Sequence, residues 1–301
     1  MYHLSENSGK TMVSGYPRST HNKVFSCRNF QLDLSQRTYI MGILNVTPDS
    51  FFDGGKYLNL PSALRHIERM LEEGADIVDI GGESTRPGSL GVSEDEELRR
   101  VLPVIKEAVK RFNTILSIDT TKLNVAKAAL EEGVSIVNDI SGLKFEPKIA
   151  DLVAKHRAGL VVMHTPSRPY DMQEKTHYNS LIDDVRKSLE VSVRMAEEKG
   201  VAPESILVDP GFGFGKTVSQ NLLLLKHLRE FESLGKPILV GTSRKSFIGK
   251  VLGTENPQDR LEGTAATVAV AILNGASVIR VHDVLYMKRV ATVVDAILRA
   301  R

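Results

Sequence analysis

The residues of this chain best suited to binding chemistry stand at the ends of short apolar runs. Acceptor oxygens are offered by Asp119, Asn138 and Asp209. Groups that can bind anions are offered by Asn45, Arg86, Arg280 and His282. Because residues two apart on a strand point the same way, Arg280 and His282 can face one pocket. A carboxylate that accepts paired N–H bonds is a strong, oriented partner, so the set predicts a pocket for a planar heterocycle with several N–H donors and a phosphate-bearing tail.

The glycine-rich stretch ILVDPGFGFGK at 206–216 is the most distinctive of these strand ends. Its apolar start predicts a buried strand that delivers Asp209, and the Pro and Gly residues that follow predict a turn into a helix. A Walker A loop needs Gly where Pro210 stands, and a dinucleotide fingerprint needs Gly where Lys216 stands. The stretch therefore indicates a βα turn and excludes both nucleotide-binding motifs.

Each polar residue also has an ordinary interpretation. An Asp after a strand usually caps the next helix, and Asp119 before Lys122 fits that role. Ion pairs at the rim are a second alternative, among Asp139, Asp209, Asp283, Lys216, Arg244 and Arg280. The charged residues at 94–97 and 99–100 indicate a solvated helix face. Helix caps do not explain why acceptors on three strands face cations on two others, which favours a binding site.

The elements that must position these residues alternate between short apolar runs and amphipathic segments. The apolar runs lie at 39–44, 77–80, 115–118, 135–137, 160–163, 206–208, 237–240 and 277–281. The helical segments lie at 61–73, 93–111, 122–132, 147–156, 178–199, 217–234, 246–252, 260–273 and 284–300. Uninterrupted alternation implies parallel strands with right-handed crossovers. The sequence therefore predicts an α/β fold, a (β/α)8 TIM barrel whose reactive groups gather at the carboxyl ends of the strands.

The predicted barrel occupies residues 38–301 as a single domain. Residues 1–37 are polar and irregular, and we expect an N-terminal extension that is partly mobile. Weak alternation at 24–34 predicts a small hairpin, which could cover the bottom of the barrel.

The overall composition limits the classes of partner. The 301 residues are 42% hydrophobic and carry a formal net charge of +2, which suits one sizeable core and argues against a nucleic-acid or membrane surface. The most apolar stretch, at 265–273, is too short to span a bilayer. A single Cys27 and the lack of a signal-like segment near Met1 lead us to expect a cytoplasmic protein.

Five motifs together resemble those of the dihydropteroate synthase family. They are MGILNVTPDSF at 41–51, GGESTRPG at 81–88, DPGFGFGK at 209–216, SRKS at 243–246 and RVHDV at 280–284. The resemblance extends from residue 38 to the C-terminus. It implies small-molecule substrates, namely 6-hydroxymethyl-7,8-dihydropterin diphosphate and 4-aminobenzoate, which condense to 7,8-dihydropteroate and diphosphate. It also implies Mg²⁺ as cofactor and a homodimer formed through the last helices.

The resemblance implies a role for each motif residue. The pterin is expected to contact Asp119, Asn138, Ile140, Met163, Asp209, Gly241, Lys245 and Arg280. The diphosphate is expected to contact Asn45, Arg86, Arg280 and His282, and the Mg²⁺ ligand is Asn45. The aminobenzoate and the two lid loops are expected to involve Phe51, Thr85, Arg86, Pro87, Phe214, Lys245 and Ser246. The predicted catalytic residues are Lys245, Arg280 and His282.

The mechanism that we hypothesise from this resemblance is dissociative substitution. The Mg²⁺-bound diphosphate departs first, the electron-rich dihydropterin carries the positive charge, and the weakly basic arylamine then attacks. Two rivals remain open: a pterin-binding barrel that hands a methyl group to a corrinoid protein, and a catalytically silent paralogue that binds pterins. The presence of Lys245, Arg280 and His282 argues against both rivals.

Overall fold

The computed structural model describes residues 24–47, 52–53 and 57–300. Within these ranges the strands are β1 (Val24–Cys27), β2 (Phe30–Asp33), β3 (Tyr39–Asn45), β4 (Phe52–Asp53), β5 (Tyr57–Leu58), β6 (Ile77–Gly81), β7 (Ile115–Asp119), β8 (Ile136–Asp139), β9 (Gly159–Met163), β10 (Ile206–Asp209), β11 (Ile238–Val240) and β12 (Ala276–Val281). Strand β3 and strands β6 to β12 form a closed barrel. The others form two antiparallel hairpins, β1–β2 and β4–β5.

The barrel closes in chain order. Each barrel strand lies parallel to the next one along the chain, and β12 pairs with β3 to complete the ring. Apolar strands of this kind are stable because side chains fill the inside and helices cover the outside. The predicted (β/α)8 barrel is therefore confirmed.

The helices of the described residues are α1 (Leu60–Glu72), α2 (Glu94–Arg111), α3 (Leu123–Glu132), α4 (Ile149–His156), α5 (Leu181–Glu198), α6 (Val218–Lys226), α7 (Ser246–Leu252), α8 (Leu261–Leu273) and α9 (Val284–Arg299). Short 3₁₀ helices lie at Met172–Glu174, Pro203–Ser205, Leu228–Leu234 and Pro257–Arg260. The segment predicted as one helix at 217–234 is α6 followed by a 3₁₀ helix, a tighter winding that is common at helix ends. In the part of the chain that the structure describes, no helix is long and apolar enough to cross a membrane.

Side-chain caps define where several helices begin. Ser93 caps α2 by accepting a hydrogen bond from the Glu96 amide at 3.2 Å. Thr217 and Gln220 form a reciprocal capping box at the start of α6, the helix that follows the glycine-rich turn. Such caps satisfy amides that have no partner within the helix, so they fix the point at which a βα loop ends.

Two apolar layers hold the barrel together. The larger fills the space between strands and helices, and the smaller closes the inside of the barrel at the amino ends of the strands. The β1–β2 hairpin belongs to the smaller layer through Phe25 and Cys27, which are fully buried. The Phe25 ring lies so near Gly159 that a Cβ there would be 2.5 Å from it. The hairpin therefore plugs this end, while the predicted domain boundary after residue 37 stays a prediction.

The interpretation of the charged start of α2 as a solvated face is wrong in part. Glu97 is only 1% exposed and Arg100 only 8% exposed. Arg100 donates to the Gly82 carbonyl oxygen at 2.8 Å, and Glu97 pairs with Lys122. Residues three apart share a helix face, and here that face turns towards loops that supply partners for both charges.

Candidate active site

The parallel register places four residues side by side across neighbouring strands. Asn45 pairs with Gly81, Gly81 with Asp119, and Asp119 with Asn138. All four stand at or next to the carboxyl ends of their strands, and Asp209 ends β10 at the same end of the ring. The reactive groups of TIM barrels gather at this end.

The guanidinium of Arg280 links two barrel strands, β6 and β7, that each carry an aspartate. Its Nε donates to Asp79 Oδ2 and its Nη2 donates to Asp119 Oδ2, both at 2.6 Å. The Asn138 amide donates to the same Asp79 oxygen at 3.0 Å. Arg280 is 17% exposed and Asp79 is 0% exposed, so water competes little with these bonds. The Asp79 carboxylate therefore holds Arg280 and Asn138 together, and Arg280 in turn holds Asp119.

Asp79 is a site residue that the sequence analysis missed. It stands inside the apolar run of β6, two residues before Gly81, so both face the barrel interior. A lone acid within a buried strand is a signal in itself, because a buried carboxylate is costly unless it is paired. Its partner Arg280 lies 201 residues away along the chain, which is why no local pattern indicated the pair.

The carboxylates of the site retain capacity to accept hydrogen bonds. Oδ1 of Asp79 and Oδ1 of Asp119 are buried and have no hydrogen-bond partner among the described residues. Asp209 Oδ1 accepts a bond from the Gly211 amide at 2.7 Å. Burial raises the pKa of Asp119 to about 7 and the pKa of Asp209 to about 6. A ligand with N–H donors would satisfy oxygens that folding leaves unpaired.

Lys245 lies in the same pocket, on the loop after β11. Its ammonium is 4.2 Å from the centre of the Phe214 ring, which is a cation–π contact. Burial lowers the pKa of Lys245 to about 8, and the charge of Arg280 adds to this effect. Gly241 brings the backbone close to Arg280, since a Cβ at 241 would lie 3.8 Å from the Arg280 Cβ.

A small apolar cluster lies beside the predicted acceptors of the pocket. Its buried members are Ile140, Met163, Met172 and Phe214. Met163 pairs with Asp209 across β9 and β10, and Ile140 directly follows β8. The two residues predicted to give apolar contacts therefore lie beside predicted acceptors. Met172 joins them from a 3₁₀ helix that the sequence analysis did not predict.

His282 follows the last strand and is oriented by Ser243. The His282 amide donates to Ser243 Oγ at 3.2 Å, and the ring Nδ1 lies 3.0 Å from the same oxygen. Burial lowers the pKa of His282 to about 3, and the charge of Arg280 adds to this effect. The imidazole is therefore neutral near pH 7. A bond from the Ser243 hydroxyl to Nδ1 leaves Nε2 with the proton, as a donor.

The glycine-rich turn after β10 is held by a buried lysine. Lys216 donates to the carbonyl oxygens of Gly211 and Phe214 at 2.8 and 2.9 Å, and its Nζ lies 3.0 Å from His164 Nδ1. Burial lowers the pKa of Lys216 to about 7 and holds the pKa of His164 well below its usual range. Only glycine fits at 211, where φ is 75° and a Cβ would lie 1.9 Å from the His164 carbonyl oxygen.

The alternative interpretation, an ion pair at the rim of the barrel, is correct for Asp283. Arg244 donates to both carboxylate oxygens of Asp283, at 2.9 and 2.5 Å. Asp139 instead accepts from the amides of Ser141 and Leu143 at 2.8 and 2.7 Å, so it shapes its own loop. Both carboxylate oxygens of Asp139 and of Asp283 are therefore bonded, whereas Oδ1 of Asp79 and Oδ1 of Asp119 have no partner among the described residues.

The remaining predicted residues that the structure describes follow the carboxyl ends of β6 and β11. Thr85 is half-buried, and Arg86 and Pro87 are exposed, on the loop between β6 and α2. Ser246 is exposed and begins α7. Phe51, predicted for the first lid loop, lies outside the described residues.

The predicted metal ligand Asn45 ends β3. A Cβ at Gly81 would lie 3.9 Å from Asn45 Oδ1, so the amide oxygen lies close to Gly81 at the end of the neighbouring strand. Among the described residues no group of three or more His, Cys, Asp or Glu side chains could hold a metal ion by itself. Mg²⁺ commonly takes one or two protein oxygens together with water and phosphate. The Asn45 amide oxygen therefore fits as one ligand of an Mg²⁺ ion.

Comparisons with known proteins agree with this geometry. The family described as pterin binding enzyme matches residues 41–282. The chain belongs to this family. This pterin-binding enzyme is 48% identical over 267 residues to a dihydropteroate synthase of Synechocystis sp., a match that covers 89% of this chain and 92% of that protein.

Solved structures of related proteins have the same fold. A dihydropteroate synthase from Clostridium difficile, crystallised in the presence of pteroic acid, is 48% identical with a TM-score of 0.84 and covers 89% of this chain and 100% of its own. A dihydropteroate synthase from Xanthomonas albilineans with 4-aminobenzoic acid is 41% identical with a TM-score of 0.86 and covers 93% of this chain and 100% of its own. The predicted family resemblance is therefore confirmed, while the role of each site residue stays a prediction.

Proposed function

We infer that this pterin-binding enzyme is a dihydropteroate synthase. It condenses 6-hydroxymethyl-7,8-dihydropterin diphosphate with 4-aminobenzoate to form 7,8-dihydropteroate and diphosphate. The observation that carries this inference is the cluster at the carboxyl end of the barrel, where buried acceptor oxygens meet Arg280 and Lys245. Relatives of that name at 48% identity support it.

The amino-pyrimidinone edge of a pterin suits the acceptor half of the pocket. That edge presents a row of N–H donors, and the opposing oxygens belong to Asp119, Asn138 and Asp209. The Asn138 nitrogen already donates to Asp79, which leaves the Asn138 amide oxygen to accept from the ligand. The Lys245 ammonium would donate to the other polar edge of the pterin, and Ile140 and Met163 would pack on its faces.

The diphosphate suits the basic half of the pocket. A guanidinium has five N–H donors, and Arg280 uses two of them on Asp79 and Asp119, so the others can serve an anion. His282 would donate through Nε2. The exposed Arg86 would reach the same anion from the loop between β6 and α2.

Mg²⁺ is the cofactor that this donor set suits. Asn45 would hold it together with oxygens of the diphosphate. When bound, Mg²⁺ neutralises charge on the leaving group. Chelation should abolish turnover, added Mg²⁺ should restore it, and Asn45→Ala should raise the Mg²⁺ concentration needed for half-maximal rate. A rate that chelation leaves unchanged would remove the metal from the proposal.

The proposed reaction is a dissociative substitution. The bond between the exocyclic methylene carbon and the diphosphate oxygen breaks first, and its electron pair leaves with the diphosphate. The positive charge then resides on the dihydropterin. The cluster has one net negative charge when its three carboxylates are ionised, because Arg280 and Lys245 supply two positive charges against those of Asp79, Asp119 and Asp209. This excess negative charge stabilises the cation. The arylamine nitrogen uses its lone pair to form the new C–N bond and releases a proton to water.

The aminobenzoate suits the space beside Phe214 and Lys245. The Phe214 ring offers an apolar face, and the Lys245 ammonium lies over it at 4.2 Å. Ser246, exposed at the start of α7, offers a hydroxyl to the carboxylate. Residues 85–87 would cover the bound ring from the loop between β6 and α2. Phe51 remains assigned to this region from the family resemblance alone.

Diphosphate release by the purified protein tests the proposed function. The assay supplies the pterin diphosphate and Mg²⁺, with and without 4-aminobenzoate. Release that rises with aminobenzoate and yields dihydropteroate supports the assignment, whereas pterin binding without product would indicate the silent paralogue. In a single turnover without aminobenzoate, failure to release any diphosphate would refute the dissociative order.

A homodimer through the last helices is proposed as the assembly. Large apolar side chains that are exposed in the single chain include Val251, Leu252, Val270, Tyr286, Val293 and Ile297. They lie on α7, α8 and α9, and a second copy of the chain would remove them from water. Sedimentation equilibrium should give twice the chain mass, and a monomer mass at micromolar concentration would refute the dimer.

A cytoplasmic location is proposed, with small molecules as the only substrates. Cys27 is fully buried, and burial raises the pKa of its thiol to about 12, so it is suited to remain a reduced, unreactive core residue. The formal net charge of +2 gives no broad basic surface for nucleic acid. Fractionation of cells that express the native protein would test the location.

A further inference from the structure

A charge cluster anchors the loop between β6 and α2, residues 82–93. The cluster, called the anchor triad below, consists of Glu83, Glu97 and Lys122. The Lys122 ammonium contacts both carboxylates. Glu97 is 1% exposed, while Glu83 and Lys122 are 21% and 22% exposed. The three residues come from three segments: the loop after β6, the first turn of α2 and the loop after β7.

The two carboxylates of the anchor triad hold different parts of the molecule. Glu97 belongs to α2, so its contact with Lys122 ties that helix to the barrel. Glu83 belongs to the loop, and its Oε2 also accepts from the Val92 amide at 3.3 Å, near the far end of the loop. Gly91 permits this closure, because a Cβ there would lie only 3.1 Å from Glu83 Oε1. Glu83 therefore joins the two ends of the loop.

The loop that Glu83 closes carries residues 85–87, which are predicted to cover the aminobenzoate. The tip of the loop contacts a different segment, because the Gly88 amide donates to the Pro169 carbonyl oxygen at 3.0 Å. A cavity of about 130 Å³ lies between this loop, the anchor triad and Asp119. The anchored loop and a predicted pterin acceptor therefore line one space.

We propose that Lys122 is a positioning residue for the condensation. Its contact with Glu83 holds the loop so that residues 85–87 stand over the aminobenzoate. Lys122 follows Asp119 by three residues, so the segment that supplies a predicted pterin acceptor also supplies the anchor of the loop. Without the ammonium, Glu83 loses the contact that ties the start of the loop to the segment after β7, which would open the loop. This inference rests on the proposed function.

The test compares Lys122→Met with Lys127→Met, a control that removes an exposed lysine from α3. For Lys122→Met we expect the KM for 4-aminobenzoate to rise about tenfold, with a smaller change in kcat. Lys122→Arg should restore KM in part, because a guanidinium can contact both carboxylates. Binding of 6-hydroxymethylpterin, measured by calorimetry, should equal that of the wild type and show that the variant is folded.

Substituting the two carboxylates one at a time separates an effect on the position of the loop from an effect on the stability of the fold. Glu83→Gln should raise the aminobenzoate KM as Lys122→Met does, and the double variant should be no worse than Lys122→Met. Glu97→Gln should lower the Tm and leave KM near the wild-type value. The proposal is overturned if Lys122→Met keeps the KM of Lys127→Met, or if Glu97→Gln raises KM as much as Glu83→Gln. Failure of the wild type to form dihydropteroate would instead refute the proposed function.

Discussion

Asp79→Asn removes a charge from the centre of the candidate site and keeps the size of the side chain. Asp79 Oδ2 accepts from Arg280 Nε at 2.6 Å and from the Asn138 amide at 3.0 Å. The substitution removes the negative charge and keeps a neutral oxygen in place of the carboxylate. Arg280 and Asn138 then lose the charged partner that orients them in the proposed pterin and diphosphate site.

The expected loss of kcat/KM follows from the strength of a hydrogen bond to a charged group. A hydrogen bond to a charged group contributes about 1.5–3 kcal/mol, and about 1.4 kcal/mol corresponds to a tenfold change in rate. Asp79 is 0% exposed, so water does not replace the lost partner. Arg280 keeps its bond to Asp119, which limits the loss. We therefore expect kcat/KM for the pterin diphosphate to fall about tenfold.

The same substitution should shift the pH dependence of pterin binding. Burial raises the pKa of Asp119 to about 7, with the charge of Asp79 among the further causes. Asp119 accepts N–H bonds best when ionised, so wild-type affinity should fall as the pH drops through about 7. Without the charge at 79, Asp119 takes up its proton at lower pH. The midpoint of the affinity loss should therefore move down in Asp79→Asn.

Calorimetric titration with 6-hydroxymethylpterin between pH 5 and 9 measures the midpoint, and steady-state kinetics measure kcat/KM. Asp95→Asn, which removes an exposed carboxylate from α2, is the matched control. The reasoning is refuted if Asp79→Asn behaves like Asp95→Asn, or if its midpoint moves to higher pH. Far-UV circular dichroism at each pH separates lost binding from unfolding.

Three further substitutions test other parts of the molecule. Lys245→Ala should abolish turnover because it removes the ammonium beside Phe214, and an unchanged rate would exclude Lys245 from the site. Lys216→Met removes the donor to two carbonyl oxygens of the glycine-rich turn, so Tm should fall and the KM for aminobenzoate should rise; a change in neither would show that Lys216 does not hold the turn. Phe25→Ala leaves a cavity in the plug and should cost about 3–5 kcal/mol in urea unfolding. Its kcat should stay at the wild-type value because the plug is at the opposite end of the barrel, and a lost kcat would contradict that separation.

The sequence by itself determined the barrel and the end of the barrel at which the candidate site lies. Runs such as 115–118 are apolar because both faces of a barrel strand are buried, and the observed strand Ile115–Asp119 differs by one residue. Once eight parallel strands close into a ring, their carboxyl ends must converge. Asp119, Asn138 and Arg280 could therefore be assigned to one pocket from their positions at strand ends.

Only the tertiary structure decided which charges pair across the pocket. Arg280 binds Asp79 across 201 positions of the chain, and Lys122 reaches Glu97 across 25. Local patterns report whether a residue lies on a buried face, as with the apolar run around Asp79, but they carry no information about the partner that faces it. That partner depends on strand register and on barrel closure, which bring distant segments within hydrogen-bonding distance. The raised pKa of Asp119 has the same origin, since burial and neighbouring charges exist only in the folded barrel.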